Sequence, residues 1–348
     1  MKKKKIRGII RTVVVFLSIF IILSAIFVMF TYESVFKAYR AEMYTVFPEY
    51  ETLAASYSME DITFASKGTN LSGKLYKNAS PKGLVIMSHN KDASSRNLMG
   101  IAKTLLEANY SVFMFDLTGH AMSDGDSQVG LCRPAEDMAA AIEYASGNPA
   151  VNELPILLFG QGMGGYGACA VMDDYPEVKA VVSVSAYGNS ADMLLEYSVT
   201  GMSVFGAIEY PITAVYNLLV FGNAVSNDAV SGINGSASPV MIIHGKDDKT
   251  VKYDGAALIN YNERITNSGA VYLGVEGRGH NNTLYSDSAM ALNKEYEDKI
   301  NALYAEYNNN PPIDKVKEIV TEYMGFGICE TDPTVSEKII AFFDNAVV

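Results

Sequence analysis

The stretch that most constrains this chain runs from Pro155 to Met172. A short apolar run, Pro155-Ile156-Leu157-Leu158-Phe159, ends in Gly160-Gln161-Gly162-Met163-Gly164-Gly165. A small-residue helical stretch, Ala168-Cys169-Ala170-Val171-Met172, follows. A buried strand, a glycine-guarded turn too tight for side chains, and a helix is the reading. A strand that feeds straight into a helix belongs to an α/β architecture. It also puts the turn at the C-terminal end of a strand, where open α/β sheets hold their ligands.

The chain around it keeps the same rhythm. From residue 83, apolar strands Leu84–Met87, Val112–Phe115, Val181–Val184, Val240–Ile243 and Val271–Leu273 alternate with helices. Asp92-Ala93-Ser94-Ser95 offers helix caps, and Leu98, Ile101, Ala102, Leu105 and Leu106 make one apolar helix face. Pro134 at a helix start precedes Met138, Ala139, Ile142 and Ala145. Strands that are apolar throughout, alternating with helices, predict a mostly parallel sheet covered on both faces. Before them, Asp61–Ala65 and Ser72–Tyr76 flank Gly68-Thr69-Asn70 and predict a hairpin. The last helix starts near Pro333 and is expected to bury Val335, Ile339, Phe342 and Phe343.

The N-terminus stands apart. Residues 1–12 are a basic flank with six cations, Lys2, Lys3, Lys4, Lys5, Arg7 and Arg11. Residues 13–30 are uncharged and interrupted only by Ser18 and Ser24. Eighteen helical residues span about 27 Å, enough to cross a hydrocarbon core. The expectation is a single-pass signal anchor in the cell membrane, with a cytoplasmic N-terminus and an extracytoplasmic body. The alternative is a cleaved signal peptide, for which Ser24-Ala25-Ile26 is a poor cleavage site. Residues 31–58 are expected to form a helical stalk with Phe36, Tyr39, Met43, Phe47 and Tyr50 on one side, interrupted by Pro48.

The body is then residues 59–348, with two segments outside the sheet rhythm. Residues 187–236 are helical and apolar, with Met193, Leu194 and Leu195 and then Ile212, Val215, Tyr216, Leu219 and Val220 on one face. They predict a cap that roofs the site and suits an apolar acyl group. Residues 284–325 predict a charged helical pair broken at Asn308-Asn309-Asn310-Pro311-Pro312. Its stripe of Leu292, Tyr296, Ile300, Leu303 and Tyr307 should pack on the body. Net charge is −12, and the six N-terminal cations leave −18 on the remainder, which argues against nucleic-acid binding. Cys132, Cys169 and Cys329 are an odd count without metal-ligand spacing, so neither a disulfide framework nor a metal site is expected, and no cofactor.

Five motifs occur in order at strand ends. They are Ser88-His89-Asn90, Asp116-Leu117-Thr118-Gly119-His120-Ala121-Met122-Ser123-Asp124-Gly125, Gly160–Gly165, His244-Gly245-Lys246-Asp247-Asp248-Lys249-Thr250-Val251 and Gly277-Arg278-Gly279-His280. In these motifs the chain, from about residue 60 onward, resembles the α/β-hydrolase superfamily and within it the serine-aminopeptidase and monoacylglycerol-lipase-like group. The resemblance implies the α/β-hydrolase fold and a serine hydrolase of ester or amide bonds, with a small ester, amide or lipid-like ligand. It assigns Asp248 as the triad acid, with Asp247 as its neighbouring competitor, and His280 as the base. Met163 N–H is one implied oxyanion donor and the loop at Asn90, where the family has glycine, supplies the other. His89, His120 and His244 are expected to tie loop backbones; a metal site from His89, His120 and Asp116 has no supporting spacing.

One position departs from the family. The nucleophile of its G-x-S-x-G elbow falls at Gly162. Without a side chain the covalent acyl-enzyme route is closed, and glycine relaxes a turn that otherwise strains its residue. Ser88 and Ser123 sit on active-face loops but not in an elbow. The expectation is a hydrolase-family protein that is catalytically impaired, with a non-enzymatic cell-surface binding protein, a pseudoenzyme, as the alternative. Because base, orienting acid and an oxyanion donor are all encoded, the sequence also predicts that Gly162→Ser alone could complete a triad.

Overall fold

The computed structural model describes residues 2–40, 45–128, 130–202 and 204–347. Its described strands form one sheet in the order β1-β2-β4-β3-β5-β6-β7-β8. β1 (Ser58–Ser66) and β2 (Thr69–Lys77) are the expected hairpin, and β2 lies antiparallel to β4 (Ser111–Phe115). β3 (Leu84–Ser88), β5 (Ile156–Gln161), β6 (Val178–Val184), β7 (Val240–Gly245) and β8 (Ala270–Val275) run parallel with β4. Every residue of β3, β4, β5 and β7 is buried, which is why these strands read as unbroken apolar runs.

The helices are α1 (Lys2–Val35), α2 (Tyr50–Ala54), α3 (Met99–Glu107), α4 (Arg133–Gly147), α5 (Met163–Ala170), α6 (Ser190–Met202), α7 (Val204–Phe221), α8 (Ala229–Gly235), α9 (Asp287–Glu306), α10 (Ile313–Tyr323) and α11 (Pro333–Ala346). One sheet face is covered by α4, α5 and α8 through Met138, Ile142, Tyr166 and Ile233. The other is covered by α3 and α11 through Ile101, Leu105, Ile339 and Phe343. On α11, Val335, Ile339 and Phe343 repeat every four residues and are buried, while Phe342 turns to the rim and is half-buried. The stripe of α9 packs with Val316, Val320 and Tyr323 of α10 and with Val46 in a small core of its own.

The N-terminal segment differs from the expected stalk. α1 is long and apolar enough to cross a membrane, but it ends at Val35. Beyond it residues 36–40 are not helical and lie on the body as a strap, and the next helix is α2 at Tyr50; Met43 falls outside the described residues. Lys37 bridges to Ser127 and Tyr39 to His120. The Arg40 guanidinium donates to the carbonyls of Ala121, Ser123 and Gly125. The aromatic periodicity of this stretch is thus spent on surface docking and not on a helix. Phe36 is buried in the main core against the Tyr32 ring of α1, with ring centroids 4.6 Å apart.

The α6–α7 pair sits near the C-terminal ends of the sheet strands. Glu196 of α6 accepts from the backbone N–H groups of Lys252 and Ala256, on the loop after β7. The outer helix is turned opposite to expectation. α7 buries Gly206, Thr213 and Asn217. Its apolar residues Phe205, Ile208, Val215, Leu218 and Leu219 face outward.

Candidate active site

β5 delivers the chain into a sharp turn at Gly162, whose φ of +54° and ψ of −115° are angles that side chains rarely tolerate. Gly162 N–H donates to Val184 O at the end of β6 (2.8 Å), and Gly164 N–H to His89 O after β3 (3.1 Å). The turn is therefore pinned to both neighbouring strands. Gly164 is obligatory in this arrangement, since a Cβ there would lie 2.3 Å from Ser88 O. Met163 is the first residue of α5, so its N–H has no acceptor within the helix and points out of a positive helix end.

The loops after β7 and β8 meet beside this turn. His280 Nδ1 lies 2.7 Å from Asp248 Oδ2. Asp248 Oδ1 accepts from Thr250 N–H (2.8 Å) and Val251 N–H (2.9 Å), and His244 Nε2 lies 3.0 Å from Oδ2. Burial opposes ionisation of this carboxyl, but the hydrogen bonds from His244, His280 and the backbone outweigh it and hold its pKa well below the usual carboxylate range. Asp247 is exposed and takes no part in this network. The backbone carbonyl of His280 accepts from Gln161 Nε2 at 3.3 Å, which ties the histidine loop to the elbow.

The other histidines hold backbone. His89 Nδ1 lies 2.7 Å from Asn90 O, and its Nε2 accepts from Leu117 N–H at 3.0 Å. Burial pushes its pKa down to about 4. His120 packs edge-on against it at 4.9 Å, with Nδ1 on Thr118 O, and is kept neutral first by burial and then by His89. Asp116 is saturated by Ser95 and by Met122 N–H. Ser123 Oγ–H donates to Asp116 O, and Ser88 is buried at the end of β3. Neither serine presents a free hydroxyl to solvent.

Asn90 changes the picture of the elbow. Its side chain donates from Nδ2 to Asn281 Oδ1 (2.9 Å) and accepts Lys91 N–H on Oδ1 (2.7 Å). In that pose it lies over Gly162. A Cβ on residue 162 would fall 1.9 Å from Asn90 Oδ1 and 2.5 Å from its Cγ. The carboxamide thus occupies the space a nucleophile side chain would need. A side chain at 162 would therefore also require Asn90 to move. Asn281 and Gln161, each next to a motif residue, also escaped the sequence analysis, because neighbours of motif positions carry no signal of their own.

The space around the turn is divided. A polar recess of about 200 Å³ borders Asn90, Lys91, Gln161 and Asn281 and is closed on the far side by Asn293 and Glu297 of α9. A separate, mostly apolar cavity lies between α1 and α6. Leu194 of the expected cap lines this apolar cavity and not the polar recess beside the turn.

Comparison with known proteins agrees with this architecture. The family model "Serine aminopeptidase, S33" matches residues 79–208. The uncharacterized protein YfhR of Escherichia coli O157:H7 is 26% identical over 211 residues, covering 57% of this chain and 66% of that protein, just under two thirds of its length. The uncharacterized protein Rv2307c of Mycobacterium tuberculosis is 26% identical over 231 residues, covering 65% and 73%. Among solved structures, the Pyrococcus furiosus esterase Pf2001 superposes with a TM-score of 0.55 at 18% identity, covering 83% of this chain and 100% of that one. Est1E of Butyrivibrio proteoclasticus with bound ferulic acid gives 0.51 at 20% identity, covering 67% and 95%. With five ordered motifs at the ends of a sheet of this topology, the chain has the α/β-hydrolase fold and over residues 79–208 is similar to the serine aminopeptidase family.

Proposed function

We propose that this is a membrane-anchored α/β-hydrolase-fold protein that has lost covalent catalysis and holds an ester-, amide- or lipid-like ligand at its inherited site. α1 would be the anchor, with a cytoplasmic N-terminus and the hydrolase domain outside. Residues 187–236 would be its cap and 284–325 a helical insertion. The observation that carries the reading is the position of Asn90. Its carboxamide stands in the volume of the missing nucleophile side chain and is held there from two sides. A serine lost by drift would leave an empty elbow; here the space has been refilled. The esterase name of the similar Pf2001 structure and the ferulic acid bound to Est1E support the ligand class.

The retained pair of His280 and Asp248 favours a second reading, direct hydrolysis. His280 would take a proton from a water attacking the ligand carbonyl carbon, and Asp248 would stabilise the imidazolium. Met163 N–H would bind the developing oxyanion, and the imidazolium proton would pass to the leaving alkoxide or amine. Two measurements on the full chain in detergent micelles separate the readings. The first reading expects no labelling by a fluorophosphonate probe and p-nitrophenyl butyrate turnover at the uncatalysed rate. Turnover that His280→Ala abolishes would favour direct hydrolysis, and fluorophosphonate labelling at the elbow would overturn both.

A further inference from the structure

α7 is built inside out for a helix of a water-soluble cap. Its buried residues are Gly206, Thr213 and Asn217, and its exposed ones include Phe205 (75%) and Leu219 (79%). Water disfavours that arrangement and lipid favours it. The polar residues face α1. Ser24 Oγ–H donates to Glu209 Oε1 (3.0 Å), and Tyr32 O–H donates to Asn217 Oδ1 (2.9 Å). Glu209 Oε2 is buried without a hydrogen-bond partner among the described residues, so this carboxyl too is turned from the surroundings.

These bonds set the depth of α7. Both join residues 185 positions apart, so α1 and α7 run parallel in register. Val204 is then level with Ile19, inside the apolar run of α1. Thirteen residues separate Val204 from Asn217, about 20 Å of helix, more than half a hydrocarbon core. If α1 crosses a membrane, the start of α7 lies near the mid-plane and α6 must descend to reach it. At Gly206 the two helices touch closely, since a Cβ there would lie 1.9 Å from Ser198 O. Val204–Ser226 is itself long and apolar enough to span a membrane.

Between α1 and this helical hairpin lies the apolar cavity of about 130 Å³. Its inner wall is Val28, Tyr32, Phe36 and Leu194, all buried, and its rim includes Phe27 and Gly201, both exposed. The cavity therefore opens sideways at Phe27 and Gly201, at the outer end of the apolar run, and extends along α1 beyond it to Phe36. Its inner end is near the site: Lys91 Nζ, on the loop carrying Asn90, lies 5.8 Å from the Phe36 ring.

We infer that the α6–α7 hairpin is a re-entrant element embedded beside α1 and that the cavity takes one acyl chain of a bilayer phospholipid from the side. The inference rests on the membrane-anchored reading above and names its ligand. The test uses the full chain in phosphatidylcholine nanodiscs containing a phospholipid with a diazirine on one acyl chain. After irradiation, peptide mapping should find label on 13–22, which face lipid in any anchored chain, and also on the inner wall, at Val28, Tyr32, Phe36 or Leu194. Gly201→Phe places a ring in the cavity mouth, where a Cβ meets no atom within 4 Å. It should lower inner-wall labelling by about tenfold and leave labelling of 13–22 unchanged. Label on 13–22 alone, or inner-wall label indifferent to Gly201→Phe, would overturn the cavity assignment while leaving the anchor. No label on α1 at all would overturn the anchored reading and this inference with it.

Discussion

A hydroxymethyl group at position 162 has no room while Asn90 keeps its pose. In Gly162→Ser the new Cβ meets the end of the Asn90 side chain at 1.9 Å, so that side chain must swing away. It then loses its bonds to Asn281 and to Lys91 N–H, about 1 kcal/mol each. A side chain at a φ of +54° adds about 1 kcal/mol more. Gly162→Ser should therefore destabilise by about 3 kcal/mol. Asn90→Gly breaks the same two bonds and should destabilise by about 2 kcal/mol. The double variant loses those bonds once and keeps the strain, about 3 kcal/mol in all and not the sum of about 5. Thermal midpoints of the four proteins should show that coupling, with about 2 °C for each kcal/mol in a domain of this size.

Activity should follow the same logic. Gly162→Ser alone is expected to stay near the native rate with p-nitrophenyl butyrate, because the displaced carboxamide still crowds the elbow. Asn90→Gly with Gly162→Ser clears the space, and with His280 as general base it should gain about 10²-fold or more. Adding His280→Ala should remove most of the gain. Stabilities that add without coupling would refute the claim that Asn90 and residue 162 compete for one volume. A full gain in Gly162→Ser alone would refute it from the side of function. A gain that survives His280→Ala would mean that another group acts as the base.

The other expectations concern the anchor, the acid and the hairpin. The protein should stay with membranes through an alkaline carbonate wash, and protease added outside intact cells should degrade the body; a soluble mature chain starting near residue 30 would contradict this. Asp248 has a folded-state pKa below its unfolded value near 3.9, so its stabilising contribution is complete above about pH 4 and drains as the pH falls below it. On acidification from pH 5 to 3 the thermal midpoint should fall more steeply for the native chain than for Asp248→Asn, and equal slopes would count against the hydrogen-bonded acid. A spin label on Phe205→Cys in nanodiscs should relax with oxygen and not with a water-soluble nickel chelate. The three native cysteines are buried and should not compete for the label; relaxation by nickel would place α7 in water.

Much of the fold was legible because the central strands are buried on both faces and had to be apolar throughout. The meeting of Asp248 and His280 could be anticipated because each follows a strand in a fixed motif. The orientation of α7 could not. A stripe of apolar residues at helical spacing states that one face is apolar, not whether it faces protein or lipid. The hints lay on the opposite face, in Glu209, Thr213 and Asn217, whose partners are 185 residues away on α1 or within α7 itself. The strap misled for a related reason: the aromatic spacing of Phe36 and Tyr39 suits a helix, but the docking of Lys37, Tyr39 and Arg40 onto the loop of residues 120–127 offers their backbone other partners. Asn90 is the instructive case. Its rotamer is set by Asn281, 191 residues away, which no local pattern encodes. Read along the chain, Asn90 and Gly162 are two independent departures from a hydrolase motif. In space they are one, because only a residue without a Cβ at 162 leaves room for the carboxamide. Glycine at 162 and the Asn90 contact therefore depend on one another, and changing either residue alone works against the other.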